Sequence, residues 1–358
     1  MKKIVLTGGG TAGHVTPNIA LLPALQAAGY EIAYVGSYDG IEKKLIADFN
    51  IPYTGISTGK FRRYLDPKNF SDPFRVMKGF VEARNYLKNY QPDVVFSKGG
   101  FVSVPVVRAA ASLHIPCIIH ESDMTPGLAN KLCIPVAEKV CCNFPETMKN
   151  IPADKAVLTG SPIRAELAQG SKLAGLNMCG FTANKPVIMV IGGSLGAANV
   201  NKAVRDALPK LLEDFQVVHL CGKDKIDNLL LNTPGYKQFE YIKAELKDIF
   251  AMADVVISRA GANAICELLA LKKPNILIPL PAASSRGDQL LNAASFEAQG
   301  YSIVLNEDDI TTNLLVAKVH ELYFNRQNYV DAMSKSHQMD AVKTIMELIN
   351  AAAEKKTN

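Results

Sequence analysis

Short apolar runs rich in β-branched residues alternate along this chain with longer stretches whose apolar positions recur at helical spacing. In the first half, Ile4 to Thr7, Glu31 to Val35, Asp93 to Ser97, Cys117 to His120 and Lys139 to Cys142 read as strands. In the second half, Val187 to Ile191, Gln216 to Cys221, Asp254 to Ser258 and Asn275 to Pro279 do so. The alternation predicts βαβ units on parallel sheets, not a sandwich or a bundle. Between the halves, residues 160–185 mix Gly, Pro, Ser and Asn with weak periodicity, which places a linker there. Beyond Asp308 the pattern is helical, ending in an amphipathic stretch from about Ala341 to Ala353.

The halves echo one another. IVLTGGGTAGH near the start is matched by VIMVIGGSLGA, and DVVFSKGG from Asp93 by DVVISRAG from Asp254. Each second motif leads through a helix into a strand opened by proline, at Pro116 and Pro274. Three landmarks in the same order predict two similar doubly wound α/β domains. A length of 358 residues agrees, since single cores rarely outgrow about 300 residues.

Composition then narrows the chemistry. The start, MKKIVLTGGG, lacks the apolar stretch of an export signal. No apolar run reaches the length of a spanning helix, and VPVVRAAASL carries Arg108 in its middle. Seven cysteines without a C-x-x-C argue against a disulfide framework and a zinc site, and predict buried thiols in a reducing compartment. A formal charge of +5 permits attraction to anionic lipid or phosphate without implying nucleic acid.

Two glycine-rich turns follow strands. Gly8 to Gly13 precedes a helix expected from about Pro17, so backbone N–H groups and the helix dipole would converge on one point, suited to an anion. The spacing also satisfies the dinucleotide fingerprint, but the second strand ends Val35-Gly36-Ser37 without the ribose-binding acid, against an NAD enzyme. Gly192-Gly193-Ser194-Leu195-Gly196 lacks the Lys-Ser/Thr ending of a P-loop, against an NTPase. His14, just after the first turn, is placed to take a proton from an attacking hydroxyl, or else merely opens a helix. Glu267, one turn into the helix after Ser258, could accept from both hydroxyls of a ribose, or simply favour the helix dipole. Arg164 is a cation at the domain boundary where a diphosphate could meet it, and Gln289 starts a helix at a plausible ligand edge. No Asp-x-Asp occurs, which removes the usual carboxylate pair for a divalent metal. These residues leave open a nucleotide-sugar transferase, an epimerase acting on the same donor, and a non-catalytic nucleotide-binding module.

Taken together, GGGTAGHVTP, SKGGFVSVP, HESDMTPGLANK, TGSPIR, GGSLGA, SRAGANAICE and DQLLNA, in that order, resemble glycosyltransferase family 28, the N-acetylglucosaminyltransferases of peptidoglycan synthesis. The resemblance implies the GT-B fold, two Rossmann-like domains separated by a cleft. It implies an N-terminal acceptor and membrane-associated domain over 1–163, a donor-binding domain over 164–340, and a terminal helix over 341–358 returning to the first. The implied reaction is inverting, metal-independent transfer of N-acetylglucosamine from UDP-GlcNAc to the C4 hydroxyl of a polyprenyl-diphosphate-linked muramoyl-pentapeptide, without a cofactor.

Carried over by position, Thr11, Ala12 and Gly13 lie beside the substrates, with His14 the candidate base. Arg164, Ser194, Ile242, Ala262, Asn263, Ala264, Ile265, Cys266, Glu267 and Gln289 match donor positions, Ile242 near the uracil and Glu267 on the ribose. Asp123 stands where relatives carry Asn, and Ala12 where many carry Gly; Asp123 is an alternative base. The lipid acceptor implies a peripheral site on the anionic inner face of the cell membrane. Lys60 to Leu65, followed by Phe74, Met77, Phe80 and Val81, combine cations and apolar groups suited to it.

Overall fold

The computed structural model describes residues 1–59, 68–192, 197–282, 287–336 and 340–357. Two compact units emerge, Met1–Arg164 together with Asp340–Asn358, and Ala165–Met339. The first holds β1 (Lys3–Thr7), β2 (Glu31–Ser37), β3 (Tyr53–Ile56), β4 (Val94–Ser97), β5 (Cys117–Glu121), β6 (Lys139–Cys142) and β7 (Ala156–Leu158). They form one parallel sheet in the order β3-β2-β1-β4-β5-β6-β7. The second holds β8 (Val187–Ile191), β9 (Gln216–Leu220), β10 (Tyr236–Phe239), β11 (Val255–Ser258), β12 (Asn275–Leu277) and β13 (Ser302–Val304), in the order β10-β9-β8-β11-β12-β13.

The inner strands are mostly apolar because helices cover both faces of each sheet, with buried polar residues such as His120 and Glu121 confined to a few positions. β4 and β11, for example, are buried at every residue. In both units the strand order reverses beside the first strand, between β1 and β4 and between β8 and β11, and open α/β sheets bind ligands outside the carboxyl ends at such a reversal.

The internal repeat extends to single hydrogen bonds. The Asp93 carboxylate accepts from Lys3 N at 2.6 Å, while Asp93 N donates to Lys3 O at 2.8 Å. The Asp254 carboxylate likewise accepts from Val187 N at 2.8 Å, and its N donates to Val187 O at 2.9 Å. Each Asp pins the start of the two strands that flank the reversal.

One sequence expectation changes. Residues 160–185 are not a linker, for they contain the helix Lys172–Cys179, capped by Ser171, whose side chain accepts from Ala174 N, and ended by Gly180 at φ 69°. Gly170 and Gly175 let this segment approach Lys247 and Asp248 of the helix Leu246–Met252 so closely that an added Cβ would overlap their carbonyls. Residues 165–185 therefore belong to the second unit, and 160–164 to the first. The helix Ala341–Thr357 packs on the first unit, as the resemblance implied: Ile345, Met346, Ile349, Ala352 and Ala353 join the core with Ile4, Leu6, Leu21 and Ile118. Tyr30 Oη donates to Asn350 Oδ1 at 2.8 Å, and ion pairs Lys2–Glu354 and Lys355–Glu138 flank it.

Candidate functional site

At the reversal in the first unit, β1 runs into Gly8-Gly9-Gly10. Gly10 turns at φ 85°, open to glycine at little cost. The turn is held from below. Tyr34 Oη donates to Gly8 O at 2.6 Å, Asn18 Nδ2 donates to Thr7 O at 3.1 Å, and burial pushes the Tyr34 hydroxyl pKa up so that it stays protonated. Sequence reasoning missed Glu42, from the helix Ile41–Ile46. Its wholly buried carboxylate accepts from Gly10 N (3.1 Å), Ser37 N (2.9 Å) and Ser37 Oγ (2.5 Å). An added Cβ on Gly9 would overlap that carboxylate. The expected anion cradle is thus narrower than its sequence suggests. Gly10 N–H is taken by Glu42, and a 3-10 turn, Ala12–His14, separates the loop from the helix Thr16–Ala27.

That turn sets His14. Its N donates to Thr11 O at 3.1 Å, and its Nδ1 lies 3.0 Å from Thr11 Oγ1. With Nδ1 donating to this hydroxyl, Nε2 carries the lone pair a general base needs. Thr11 is exposed, whereas Ala12, Gly13 and His14 are half-buried. The loop after β4 packs on the same turn: Gly100, at φ 82°, lies so close that an added Cβ would overlap Gly9 O and come within 3.3 Å of His14 Nδ1.

Beside it the end of β5 carries a buried polar network. Lys98, fully buried, donates through Nζ to His120 Nδ1 at 2.8 Å and to Ser122 Oγ. His120 Nε2 in turn donates to Gly160 O at 2.9 Å. Burial, and then the Lys98 charge, hold the His120 pKa well below the usual histidine range, so its ring is neutral and its tautomer set by its partners. The Glu121 carboxylate accepts from Asp123 N (3.0 Å), Gly127 N (3.0 Å) and Asn130 Nδ2 (2.8 Å), although burial still raises its pKa. Asp123 O accepts from Thr147 Oγ1 at 3.2 Å, which leaves Asp123 half-buried on a clamped turn. HESDMTPGLANK was legible as a motif, but the burial that organises it was not.

In the second unit, the helix Ala262–Ala270 begins just beyond the carboxyl end of β11. Asn263, Ala264 and Glu267 are half-buried on it, whereas the side chains of Ile265 and Cys266 are buried, so those two have only backbone to offer a ligand. Ala262 and Ile242 are buried. Gln289 Oε1 accepts from Leu280 N at 3.1 Å, tying the helix Asp288–Ala298 to the segment after β12. Ser194 and its neighbours 193–196 lie outside the described residues. The Arg164 Nε is shielded from solvent and meets no acceptor among the described residues, an unspent donor at the boundary. Sequence reasoning also missed Arg259, which donates to Ile278 O at 3.0 Å and pairs with Glu307. Glu307 Oε1 accepts from Asn199 Nδ2 at 2.5 Å, fixing the start of the helix Ala198–Asp214.

Known proteins were then compared with the chain. The family model for the glycosyltransferase family 28 N-terminal domain matches residues 4–142, and that for the C-terminal domain residues 187–349. A Lachnospira eligens protein is 65% identical over 98% of this chain and 99% of its own length, and one from Lachnoclostridium phytofermentans 64% over 98% of both. Both are named UDP-N-acetylglucosamine--N-acetylmuramyl-(pentapeptide) pyrophosphoryl-undecaprenol N-acetylglucosamine transferase. The crystal structure of Acinetobacter baumannii MurG superposes with a TM-score of 0.78 at 28% identity, covering 98% of this chain and 100% of that one. Two parallel-sheet Rossmann-like domains of the GT-B class, matched by both family models and by relatives along nearly its whole length, place this chain in glycosyltransferase family 28.

Proposed function

We propose that this protein transfers N-acetylglucosamine from UDP-GlcNAc to the C4 hydroxyl of a muramoyl-pentapeptide carried on a polyprenyl diphosphate, with inversion and without a metal. The observation that carries the reading is end-to-end identity of 65% to a transferase of that name. The acceptor hydroxyl attacks the anomeric carbon from the face opposite UDP, so one displacement inverts the centre. His14 takes the hydroxyl proton as the new C–O bond forms, and the bond to the diphosphate breaks. The second unit holds the donor, with Glu267 on the ribose and Ile242 near the uracil. Negative charge on departing UDP is met by the N-terminus of the helix Ala198–Asp214 and by Arg164.

The test is transfer of label from UDP-GlcNAc to a short-chain analogue of the lipid acceptor in excess EDTA. Transfer only when the analogue is present is expected. Label released or epimerised without acceptor would assign the epimerase reading, and arrest by EDTA would remove the metal-free mechanism.

A lipid acceptor requires the first unit to meet a membrane, and no helix among the described residues is long and apolar enough to cross one. Lys60 to Leu65 lie outside the described residues. On the helix Lys68–Tyr90, however, Phe74, Met77 and Val81 are 79%, 64% and 50% exposed, on one stripe flanked by exposed Arg75 and Lys78. An apolar cavity of about 460 Å³ lies beside it, lined by Val76, Phe80, Phe101, Val104 and Leu132. We read this face as docking on anionic lipid at the inner membrane surface. Phe74→Ser with Met77→Ser is expected to weaken co-sedimentation with anionic vesicles about ten-fold or more, from the apolar burial lost. Unchanged binding would remove the docking face.

A further inference from the structure

Lys98 has no assigned part in this chemistry, yet it is a fully buried cation packed against the glycine loop. It occupies the same place in the first unit as Arg259 in the second, immediately after the inner strand that follows the reversal. Both cations are buried, and both reach across to the end of the next strand. Arg259 does so through carbonyls 278 and 279 and the carboxylate of Glu307, ending in a structural clamp. Lys98 instead donates to a neutral imidazole and a hydroxyl, on the strand end that carries the HESD turn. Two residues later, Gly100 presses on Gly9 and His14. Ser122 is separately held through its carbonyl by Asn143 Nδ2 at 3.0 Å, and its neighbour Asp123 through Glu121 and Thr147. Lys98 itself is seated on the glycine loop, its N donating to Thr7 O at 2.9 Å and its Cβ lying 3.2 Å from a Cβ added at Gly8. The loop that bears His14 and the turn that bears Asp123 thus meet at one residue, the first at its main chain and Cβ, the second at its ammonium.

We propose that Lys98 is a positioning residue for the transfer, its main chain and Cβ seated on the His14-bearing glycine loop and its ammonium holding the Asp123-bearing turn against that loop. The proposal rests on reading the first unit as the acceptor side. Lys98 has the reach for this because β4 lies between β1 and β5 in the sheet. A lysine there holds His120 with Nδ1 as acceptor and Nε2–H on Gly160 O, which joins the segment leading to Arg164 to the same lock.

The test uses the full-length protein, UDP-GlcNAc and the short-chain lipid analogue. Lys98→Met is expected to lower kcat about 100-fold, the scale of a displacement of about 1 Å in reacting groups, with a smaller change in acceptor KM. The Kd for UDP-GlcNAc, read by calorimetry, is expected to stay within about two-fold. Ser122→Ala, which keeps the lysine and removes one half-buried hydroxyl, is expected to cost about ten-fold and to add little to Lys98→Met, because both remove the same bond. A wild-type rate in Lys98→Met, full additivity of the two changes, or a parallel loss of UDP-GlcNAc affinity would each overturn the proposal. Should Lys98→Met fail to fold, Ser122→Ala decides, and a wild-type rate in it overturns the lock. Loss of transfer in His14→Ala with none in Lys98→Met overturns the role of Lys98 alone. No loss in either overturns the acceptor-side reading itself.

Discussion

His14→Ala is expected to lower kcat for transfer by about 10²- to 10⁴-fold, the usual contribution of a positioned general base, with UDP-GlcNAc affinity little changed. The expectation comes from the 3-10 turn Ala12–His14, which presents the imidazole at the carboxyl end of β1, and from the 3.0 Å contact between Nδ1 and Thr11 Oγ1. That contact selects the tautomer when the hydroxyl accepts, so Thr11→Val is expected to cost a smaller part of the same effect. Steady-state kinetics with the lipid analogue varied at saturating donor would read both. Asp123→Asn is the control for the rival base. If it abolishes transfer while His14→Ala retains most of it, the proton goes to Asp123 and the imidazole has another task.

The second large effect is expected at Glu42, for stability and rate together. Glu42→Ala removes the acceptor of three hydrogen bonds in a site without solvent, leaving Gly10 N, Ser37 N and Ser37 Oγ to find other partners. Each buried donor left without an acceptor costs about 1 to 3 kcal/mol, so an overall loss of about 3 to 5 kcal/mol is expected after partial relaxation. For a unit of this size, that lowers Tm by about 6 to 20 °C, visible in a thermal melt. Because the same carboxylate shapes the turn leading to His14, kcat is expected to fall about 100-fold even at temperatures where the variant is folded. A variant that melts and turns over like the parent would show that the glycine turn holds its form without Glu42.

The two expectations differ in how they could have been found. His14 was legible because a strand, a glycine turn and a helix start are local patterns, and a titratable residue at their junction stands out. Glu42 was not. In sequence it opens an ordinary amphipathic turn, Ile41-Glu42-Lys43-Lys44, and only folding shows that the space left by Gly9, Gly36 and Gly40 receives its side chain. Lys98 and His120 are similar, since both belong to motifs seen in sequence, but their pairing spans two strands and depends on complete burial. At Ile265 and Cys266 the stretch matched by resemblance was continuous, while the helix turns successive side chains to different faces and buries these two.

The same distinction runs through the fold. The sequence by itself determined the inner strands, the reversal-point turn after β1 and the repeat of the two halves. Strands covered on both faces must be largely apolar, and tight turns favour glycine. It did not determine β3, β7, β10 or β13, which are the outermost strands of their sheets. Tyr53–Ile56 and Tyr236–Phe239 carry exposed or half-buried positions, and Ala156–Leu158 and Ser302–Val304 are three residues long, so their apolar signal is weak. Their partners supply what their composition lacks, through ladders such as Tyr34 to Tyr53 and Val217 to Tyr236. That residues 165–185 join the second unit and that the last helix returns to the first was expected from the family resemblance and not from the residue pattern, and only the tertiary structure shows the surfaces that hold them. Both depend on which distant surface a helix can bury against, and no local pattern of polar and apolar residues states that.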